Sequence, residues 1–245
     1  RTLIESCPHS NKIRSVAISP DSRFGISCGD DDQMILWDIL SQKKIFYFSG
    51  EIKHIQKVVF SPNSKRIFTG SLFGSIQEWD LNTGFEIARF GYPTYPIQDV
   101  AVLGLTFSNN GFLLSSCGDF VGIPLWDSVS HQLINAIYDH HEDLVRDIIF
   151  SPDGKFLISA SRDQEISLCD VGTGGFYGYF EGHTRDVVSI DISSDGKYLA
   201  SGSLDKSVRV WDVFSREQLY ICNEANRSEE RSVGKEFRSR WWREQ

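Results

Sequence analysis

The sequence predicts an all-β fold built from repeated small sheets, and two periodic features support this prediction. First, a Trp-Asp pair, replaced once by Cys-Asp, recurs at intervals of 42, 47, 43 and 42 residues. The pairs are Trp37-Asp38, Trp79-Asp80, Trp126-Asp127, Cys169-Asp170 and Trp211-Asp212. Second, each pair follows two runs of β-forming residues that a polar turn separates. A fixed period of this length indicates that one supersecondary unit is repeated along the chain.

Each period contains four candidate strands. The turn between the first two is "SPDS" at Ser19, "SPNS" at Ser61, "SNNG" at Ser108 and "SPDG" at Ser151. A third short strand ends at the Trp, and a fourth, such as "KKIFYF" from Lys43, follows a polar turn. Four short strands per period predict one blade of a β-propeller. The repeats span about 7–48, 49–91, 92–137, 138–180 and 181–222, which gives a propeller domain over 1–222.

The segment 223–245 interrupts this pattern. From Arg227 it reads "RSEERSVGKEFRSRWWREQ", which is rich in Arg and Glu and contains two adjacent Trp residues. One interpretation is a basic interaction tail. We favour another, because residues 227–241 are similar to the conceptual translation of a common sequencing-adapter DNA. The segment is therefore expected to lie outside the propeller as a translated artefact.

The repeats as a whole resemble the WD-repeat (WD40-type) family over nearly all of the chain from Arg1 to about Cys222. This resemblance implies a ring of blades, usually seven, around a central channel. Arg1 to Ser6 align with a fourth strand, so we expect five blades plus one orphan strand of an incomplete ring. Further blades are expected at the ends of this arc.

The resemblance also implies a structural tetrad in each blade, formed by a His, a Ser or Thr, an Asp and the Trp. Matching by offset gives two complete sets, His9, Ser27, Asp31, Trp37 and His183, Ser201, Asp205, Trp211. The fourth repeat gives a partial set, with Cys169 at the Trp position after His141, Ser159 and Asp163. The second repeat has Glu51 and Phe73 at the His and Asp positions, and the third has Gln98 and Phe120.

A recurring Ser, His and Asp also invites a hydrolase hypothesis, since the same trio builds catalytic triads. We favour the structural interpretation, because catalysis needs one exposed constellation with an oxyanion hole, whereas these residues recur in several blades. The neighbours His140 and His141 suggest a metal site in the same way, but the sequence has no Cys or second His at ligand spacing. We predict no catalytic, metal or cofactor site and no enzymatic activity.

Composition narrows the class of protein further. With 40% hydrophobic and 24% charged residues, and no apolar run near 20 residues, the chain is not expected to insert into a membrane. Its formal net charge of −8 disfavours direct binding to nucleic acid, which relies on Lys and Arg. The five cysteines are scattered without CxxC spacing, which favours a reducing intracellular compartment, cytoplasmic or nuclear.

Candidate partner-binding residues follow from the family, in which the loops entering the first strand and the turns carrying the tetrad Asp share one face. Loops on a rigid scaffold are common binding sites. One hypothesis is an acidic or phosphorylated peptide held by basic residues such as Arg14, Arg146 and Arg162. Solvated surface arginines are the alternative.

A second hypothesis is a hydrophobic contact patch on the second and third blades, where the tetrads are broken. Its candidate residues are Leu72, Phe73, Leu103 and Phe120, with Tyr92 and Tyr95 in the insertion "GYPTYPIQ". Gln56 is a separate candidate at the start of the first strand of the second blade. The alternative is that Phe73 and Phe120 turn inward and fill the space of the missing tetrad side chains.

The sequence thus predicts a non-catalytic scaffold or adaptor that binds protein or peptide partners through the loop face of a propeller. A docking or regulatory module within a larger enzyme or transcriptional-regulator chain is the alternative. Wording such as "SSDGKYLASGSLDKSVRVWD" is similar to propellers of transcriptional corepressors, but it is shared across much of the family.

Overall fold

The structure is a computed structural model that describes residues 9–48, 54–91, 101–118, 122–138 and 140–223. Regular structure in these ranges consists of 20 β-strands in five four-stranded antiparallel sheets. Within the same ranges, no helix is long and apolar enough to cross a membrane. The predicted all-β fold of five four-stranded blades is confirmed.

The strands follow the chain in blade order, from the innermost to the outermost strand of each sheet. Blades one and two contain β1 (Ile13–Ile18), β2 (Phe24–Gly29), β3 (Met34–Asp38), β4 (Lys43–Tyr47), β5 (Ile55–Phe60), β6 (Arg66–Ser71), β7 (Ser75–Asp80) and β8 (Glu86–Gly91). Blade three contains β9 (Val102–Phe107), β10 (Leu113–Gly118), β11 (Ile123–Asp127) and β12 (Leu133–Ile137). Blades four and five contain β13 (Val145–Phe150), β14 (Phe156–Ser161), β15 (Ile166–Asp170), β16 (Phe176–Tyr179), β17 (Val187–Ile192), β18 (Tyr198–Ser203), β19 (Ser207–Asp212) and β20 (Gln218–Asn223).

The Ser-Pro-Asp-Gly turn of the fourth blade joins its first two strands, as the sequence predicts. In the fourth blade, Ser151 Oγ donates to Asp153 Oδ1 at 2.6 Å and accepts the backbone N–H of Phe156 at 2.9 Å. Gly154 completes the turn with a φ of 72°, a left-handed conformation that glycine adopts without steric cost. The turn therefore reverses the chain between the first two strands of the blade.

The hydrophobic core lies between consecutive blades rather than within a single sheet. Side chains from blades one and two form one buried cluster, and equivalent clusters join two to three, three to four and four to five. Within them the Trp of a blade contacts an aromatic residue of the preceding blade, as Trp79 does with Phe48 at 6.0 Å between ring centroids. Phe180 and Trp211 form the same edge-to-face pair at 5.9 Å. These pairs fix each blade to the one before it.

The junction of blades three and four departs from this pattern. Cys169 takes the Trp position and Ile137 takes the place of the partner Phe, and both side chains are buried. On the inner strands, a Cβ on Gly104 would lie only 3.3 Å from the Cα of Asp147. Smaller core residues and a glycine on the inner strand therefore accompany a close approach of β9 and β13.

The two terminal faces of the arc are exposed. On the innermost strand of blade one, the side chain of Val16 is 70% exposed, whereas Val58, its equivalent in blade two, is 1% exposed. On the far side of blade five, Val208 is 52% exposed, although its equivalents Met34 and Ile76 are fully buried. Trp37 is only half-buried, unlike Trp79, Trp126 and Trp211. Within the described residues, both faces lack the cover that every other blade face receives.

The predictions for the chain ends fall mainly outside the described residues. The orphan strand expected at Arg1 to Ser6 lies there, as does the segment from 224 to 245. The outermost strand β20 ends at Asn223, one residue into the segment that the sequence assigned to the tail.

Candidate protein-binding site

Both complete tetrads form as the sequence predicts. In blade five, the imidazole of His183 donates through Nδ1 to Asp205 at 2.8 Å and accepts from the Ser201 hydroxyl through Nε2 at 2.7 Å. The indole N–H of Trp211 donates to the same hydroxyl oxygen at 2.9 Å. In blade one, His9 contacts Asp31 at 2.9 Å and Ser27 at 2.8 Å, and Trp37 donates to Ser27 at 3.0 Å. These bonds join the loop entering each blade to the turn after its second strand.

Burial and hydrogen bonding together determine the protonation of the blade-five tetrad. It lowers the pKa of the His183 imidazole, and the hydrogen bond to Asp205 opposes this effect only in part. Burial of Asp205 acts to raise its pKa, but hydrogen bonds from Ser207 and His183 outweigh it and hold that pKa well below its usual range. A neutral histidine beside an ionised aspartate is the state that satisfies all three hydrogen bonds.

Blade four completes its network with a residue that the sequence did not single out. His141 contacts Asp163 at 2.8 Å and Ser159 at 3.1 Å, as in the complete tetrads. In place of the missing indole N–H, the hydroxyls of Ser159 and Ser167 lie 2.6 Å apart in a fully buried hydrogen bond. Ser167 sits two residues before Cys169 on β15. A hydrogen bond between two serines thus takes the place of the bond from the Trp to the Ser.

In the parts of blades two and three that the structure describes, the Trp hydrogen bond of the tetrad is kept. Trp79 donates to Thr69 at 3.0 Å, and Trp126 donates to Ser116 at 3.4 Å. In blade two, the turn that carries an Asp elsewhere is held by a 2.8 Å hydrogen bond between Ser71 and Ser75. The turn therefore keeps its shape without the tetrad His and Asp.

Four candidate residues at the start of the innermost strands, and Val188 at the same position of blade five, share a structural feature. Each is the extra residue of a β-bulge, since the pairing register skips one position there. They are Arg14, Gln56, Leu103, Arg146 and Val188. A bulge changes the direction of a side chain at the end of a strand. The bulges place these residues beside the turns that carry the tetrad aspartates, and we name this end of the propeller the loop face.

The three candidate arginines of the loop face already have acidic partners. Arg14 forms a bidentate pair with Asp30 at 2.6 and 2.8 Å. Arg146 contacts Asp186 of the next blade at 3.1 Å. Arg162 lies 3.5 Å from Asp143. An incoming acidic group would therefore compete with an aspartate at each arginine.

Blade two presents apolar side chains on this face. Phe73 stands at the tetrad Asp position, yet its side chain is 51% exposed, and its ring meets that of His54 edge-to-face at 5.1 Å. The neighbouring Leu72 is also exposed, and its backbone N–H donates to the carbonyl of His54 at 2.9 Å. Gln56 donates to the same carbonyl at 3.3 Å. The alternative in which Phe73 turns inward is therefore wrong. We name Leu72, Phe73 and His54 the blade-two patch.

The remaining members of the predicted patch are placed differently. Leu103 is half-buried at the bulge of blade three. Tyr92, Tyr95 and Phe120 lie outside the described residues, as do Glu51 and Gln98. Their contribution to a contact surface stays a prediction.

One interaction near the axis carries no signal in the sequence. The ammonium group of Lys57, on the innermost strand of blade two, lies 2.9 Å from Asp147 Oδ1 on that of blade four. The other carboxylate oxygen of Asp147 accepts the backbone N–H of Ile190 in blade five at 3.2 Å. These contacts connect three blades.

Comparison with known proteins identifies the repeats. The family model for the WD domain, G-beta repeat, matches residues 1–38, 132–170 and 174–212. The chain is a WD-repeat β-propeller. Membership implies a role as a protein-interaction scaffold or adaptor, a class that is generally non-catalytic.

Three relatives show how far the similarity to known proteins extends. The WD-repeat chain is 28% identical over 160 residues to Protein groucho of Drosophila melanogaster, covering 62% of this chain and 20% of that protein. It is 30% identical over 168 residues to WD repeat-containing protein SL1-17 of Schistosoma mansoni, covering 68% and 53%. It is 24% identical over 218 residues to a guanine nucleotide-binding protein subunit beta of Oryza sativa subsp. japonica, covering 68% and 57%. The matches thus span between about a fifth and little more than half of these relatives.

Proposed function

We propose that the chain is a non-catalytic scaffold that binds protein or peptide partners through its loop face, with the blade-two patch as the main contact. The observation that carries this proposal is the exposure of Phe73 at a position where the complete tetrads hold an aspartate with a buried side chain. Aromatic side chains on a surface are enriched at the energetic centres of protein interfaces.

The rigidity of the turn strengthens this assignment. Hydrogen bonds from Leu72 to His54 and between Ser71 and Ser75 hold the turn on the strands of blade two. A preorganised apolar side chain loses little conformational entropy when a partner covers it. The patch therefore offers binding free energy at a small ordering cost.

The absence of catalysis is proposed on physical grounds. His183 and Ser201 are buried, so a substrate has no access to the Ser-His-Asp set of blade five. Burial also raises the pKa of the Cys28 thiol to about 12, which leaves it protonated and weakly nucleophilic at neutral pH. These groups stabilise blades rather than react.

An acidic or phosphorylated peptide at Arg146 and Arg162 remains a finer prediction that the ion pairs do not favour. Such a peptide would have to displace Asp186 and Asp143 from the two guanidinium groups. The apolar patch requires no such exchange, so it is the stronger candidate.

We also infer that further blades cover the exposed faces of blades one and five in the complete protein. A ring of seven blades stays a prediction. The support is the exposure of Val16 and Val208 at positions that are buried at every other blade junction. An open arc leaves apolar surface of the kind that promotes association. We propose an intracellular location, cytoplasmic or nuclear, on the cysteine pattern.

The proposed function is tested with two matched variants in affinity capture from a cell lysate. Phe73→Ser removes the exposed ring of the patch, whereas Phe214→Ser removes a phenylalanine that is 95% exposed in the turn between β19 and β20. We expect proteins that the wild-type chain and Phe214→Ser retain equally, and that Phe73→Ser loses. Equal retention by all three chains would contradict the proposal.

A further inference from the structure

The charges around the blade-two patch indicate the chemistry of its partner. Asp32 and Phe73 both contact His54, since the backbone N–H of His54 donates to Asp32 Oδ1 at 2.9 Å and its ring meets that of Phe73 at 5.1 Å. Asp32 is exposed and has a φ of 54°, so it stands on a tight turn of blade one. An apolar ring and a carboxylate therefore flank the same residue.

The carboxylate of Asp32 differs from those of Asp30, Asp143 and Asp186, which pair with arginines on this face. Among the described residues it forms no ion pair, and its hydrogen bond comes from a neutral amide. The adjacent Asp30, in contrast, is held bidentately by Arg14. Arg146 and Arg162 are likewise matched by aspartates. Asp32 thus leaves a carboxylate beside the patch that a partner can neutralise.

We propose that the blade-two patch receives a peptide segment in which an apolar side chain adjoins a lysine or arginine. The apolar side chain packs against Phe73 and Leu72, and the basic group pairs with Asp32. This inference rests on the proposed function, because it names the partner chemistry of the same site. Complementary charge fixes the register of the peptide and the apolar contact supplies most of the affinity.

The test begins with a phage-displayed library of random 12-residue peptides, panned against the immobilised full chain of 245 residues. Recovered peptides are synthesised with a fluorophore, and their affinity is measured by fluorescence polarisation against wild type, Phe73→Ser, Asp32→Asn and Phe214→Ser. We expect sequences with Lys or Arg beside an aromatic or aliphatic residue.

Affinities of the variants then separate the apolar and the charged contributions. Phe73→Ser is expected to weaken binding more than about tenfold. Asp32→Asn is expected to weaken it about threefold, with less dependence on salt, as an exposed ion pair allows. Phe214→Ser is expected to leave affinity unchanged. An Asp32→Lys chain is expected to favour acidic versions of the same peptides.

The outcomes distinguish the two proposals. If the recovered peptides depend on Phe73 but are acidic, or bind Asp32→Asn as tightly as wild type, the inference about charge is overturned and the scaffold function stands. If no recovered peptide depends on Phe73, both proposals are overturned.

Discussion

Lys57 and Asp147, 90 residues apart in sequence, form a 2.9 Å ion pair that joins the second and fourth blades across the third. Asp147 is nearly buried and also accepts the backbone N–H of Ile190 in blade five. The close approach of β9 and β13 at Gly104 brings blade four within reach of the lysine. The pair therefore links the inner strands of an arc in which the third blade lacks a complete tetrad.

Removing the lysine should destabilise the whole domain. Lys57→Met is expected to lower the free energy of unfolding by about 1–3 kcal/mol, because it leaves the largely buried Asp147 without its counter-charge. The matched control is Lys155→Met, which breaks an exposed 3.8 Å pair with Asp153 and should change stability by less than about 0.5 kcal/mol. Urea unfolding measures both. Equal effects of the two variants would show that the ion pair of Lys57 with Asp147 stabilises the domain no more than an exposed pair does.

The network of blade four depends on a hydroxyl that replaces an indole. Ser167→Ala should lower the free energy of unfolding by about 1 kcal/mol, because it removes the buried hydrogen bond to Ser159. Ser215→Ala, in an exposed turn of blade five, should change it by less than about 0.5 kcal/mol. Chemical denaturation of the two variants in parallel checks the difference, and a neutral Ser167→Ala would contradict the assigned role.

The blade-five tetrad predicts a pH dependence of stability. Burial lowers the pKa of folded His183 below the unfolded value of about 6.5, so the unfolded chain binds a proton more readily. The stabilisation from neutral His183 is therefore present above the unfolded pKa and is lost as the pH falls through the folded pKa. We expect the free energy of unfolding to decrease as the pH is lowered from about 7.5 to 5.

A histidine variant isolates this contribution. His183→Gln should be less stable at neutral pH and should show a shallower decrease over the same range. Val187→Ala, which trims a fully buried side chain of the same blade without removing a titratable group, should keep the wild-type slope. Identical slopes for His183→Gln and wild type would exclude His183 as the source.

The exposed face of blade one predicts an asymmetry between equivalent valines. Val58→Ser should cost about 2 kcal/mol or more, because it creates a cavity and buries a hydroxyl between blades one and two. Measured at a protein concentration low enough for the chain to be monomeric, Val16→Ser should change stability by less than about 0.5 kcal/mol, because its side chain is already in water. Comparable losses would mean that this face of blade one is buried in solution.

The same faces predict self-association. The 1–226 chain should form oligomers in size-exclusion chromatography with light scattering, since propellers avoid exposed sheet edges by closing the ring. Val16→Ser should reduce the oligomeric fraction. A monomeric, cooperatively melting 1–226 chain would argue against missing blades.

Much of the fold follows from local sequence signals, and the site follows less completely. The Ser-Pro turns and Trp positions predict the strands because each is a short-range pattern, and the constant offset of His183 from Ser201 and Asp205 predicts a contact across 22 residues. The role of Ser167 could not be predicted, since it depends on how buried hydroxyls pack where the Trp is absent. Lys57 and Asp147 occupy equivalent positions two repeats apart, but the repeat period does not predict that side chains of non-adjacent blades meet.

In the candidate site, too, the sequence predicts the positions of residues better than their side-chain contacts. The offsets predict that Arg14 and Phe73 lie on the loop face. They do not predict which groups the two side chains contact. The pairing of Arg14 with Asp30 requires a β-bulge that turns the arginine toward that turn. The outward position of Phe73 depends on its packing against His54, which comes from a loop 19 residues earlier in the chain.

The central claim, that partners bind the loop face at blade two, is tested most directly by hydrogen–deuterium exchange of the full chain with and without a bound peptide from the library. We expect slower exchange of amides at 54–56 and 71–75, because these segments form the patch and its supporting turn. Protection confined to the turns at 39–42 and 213–216, with the patch unchanged, would contradict the account.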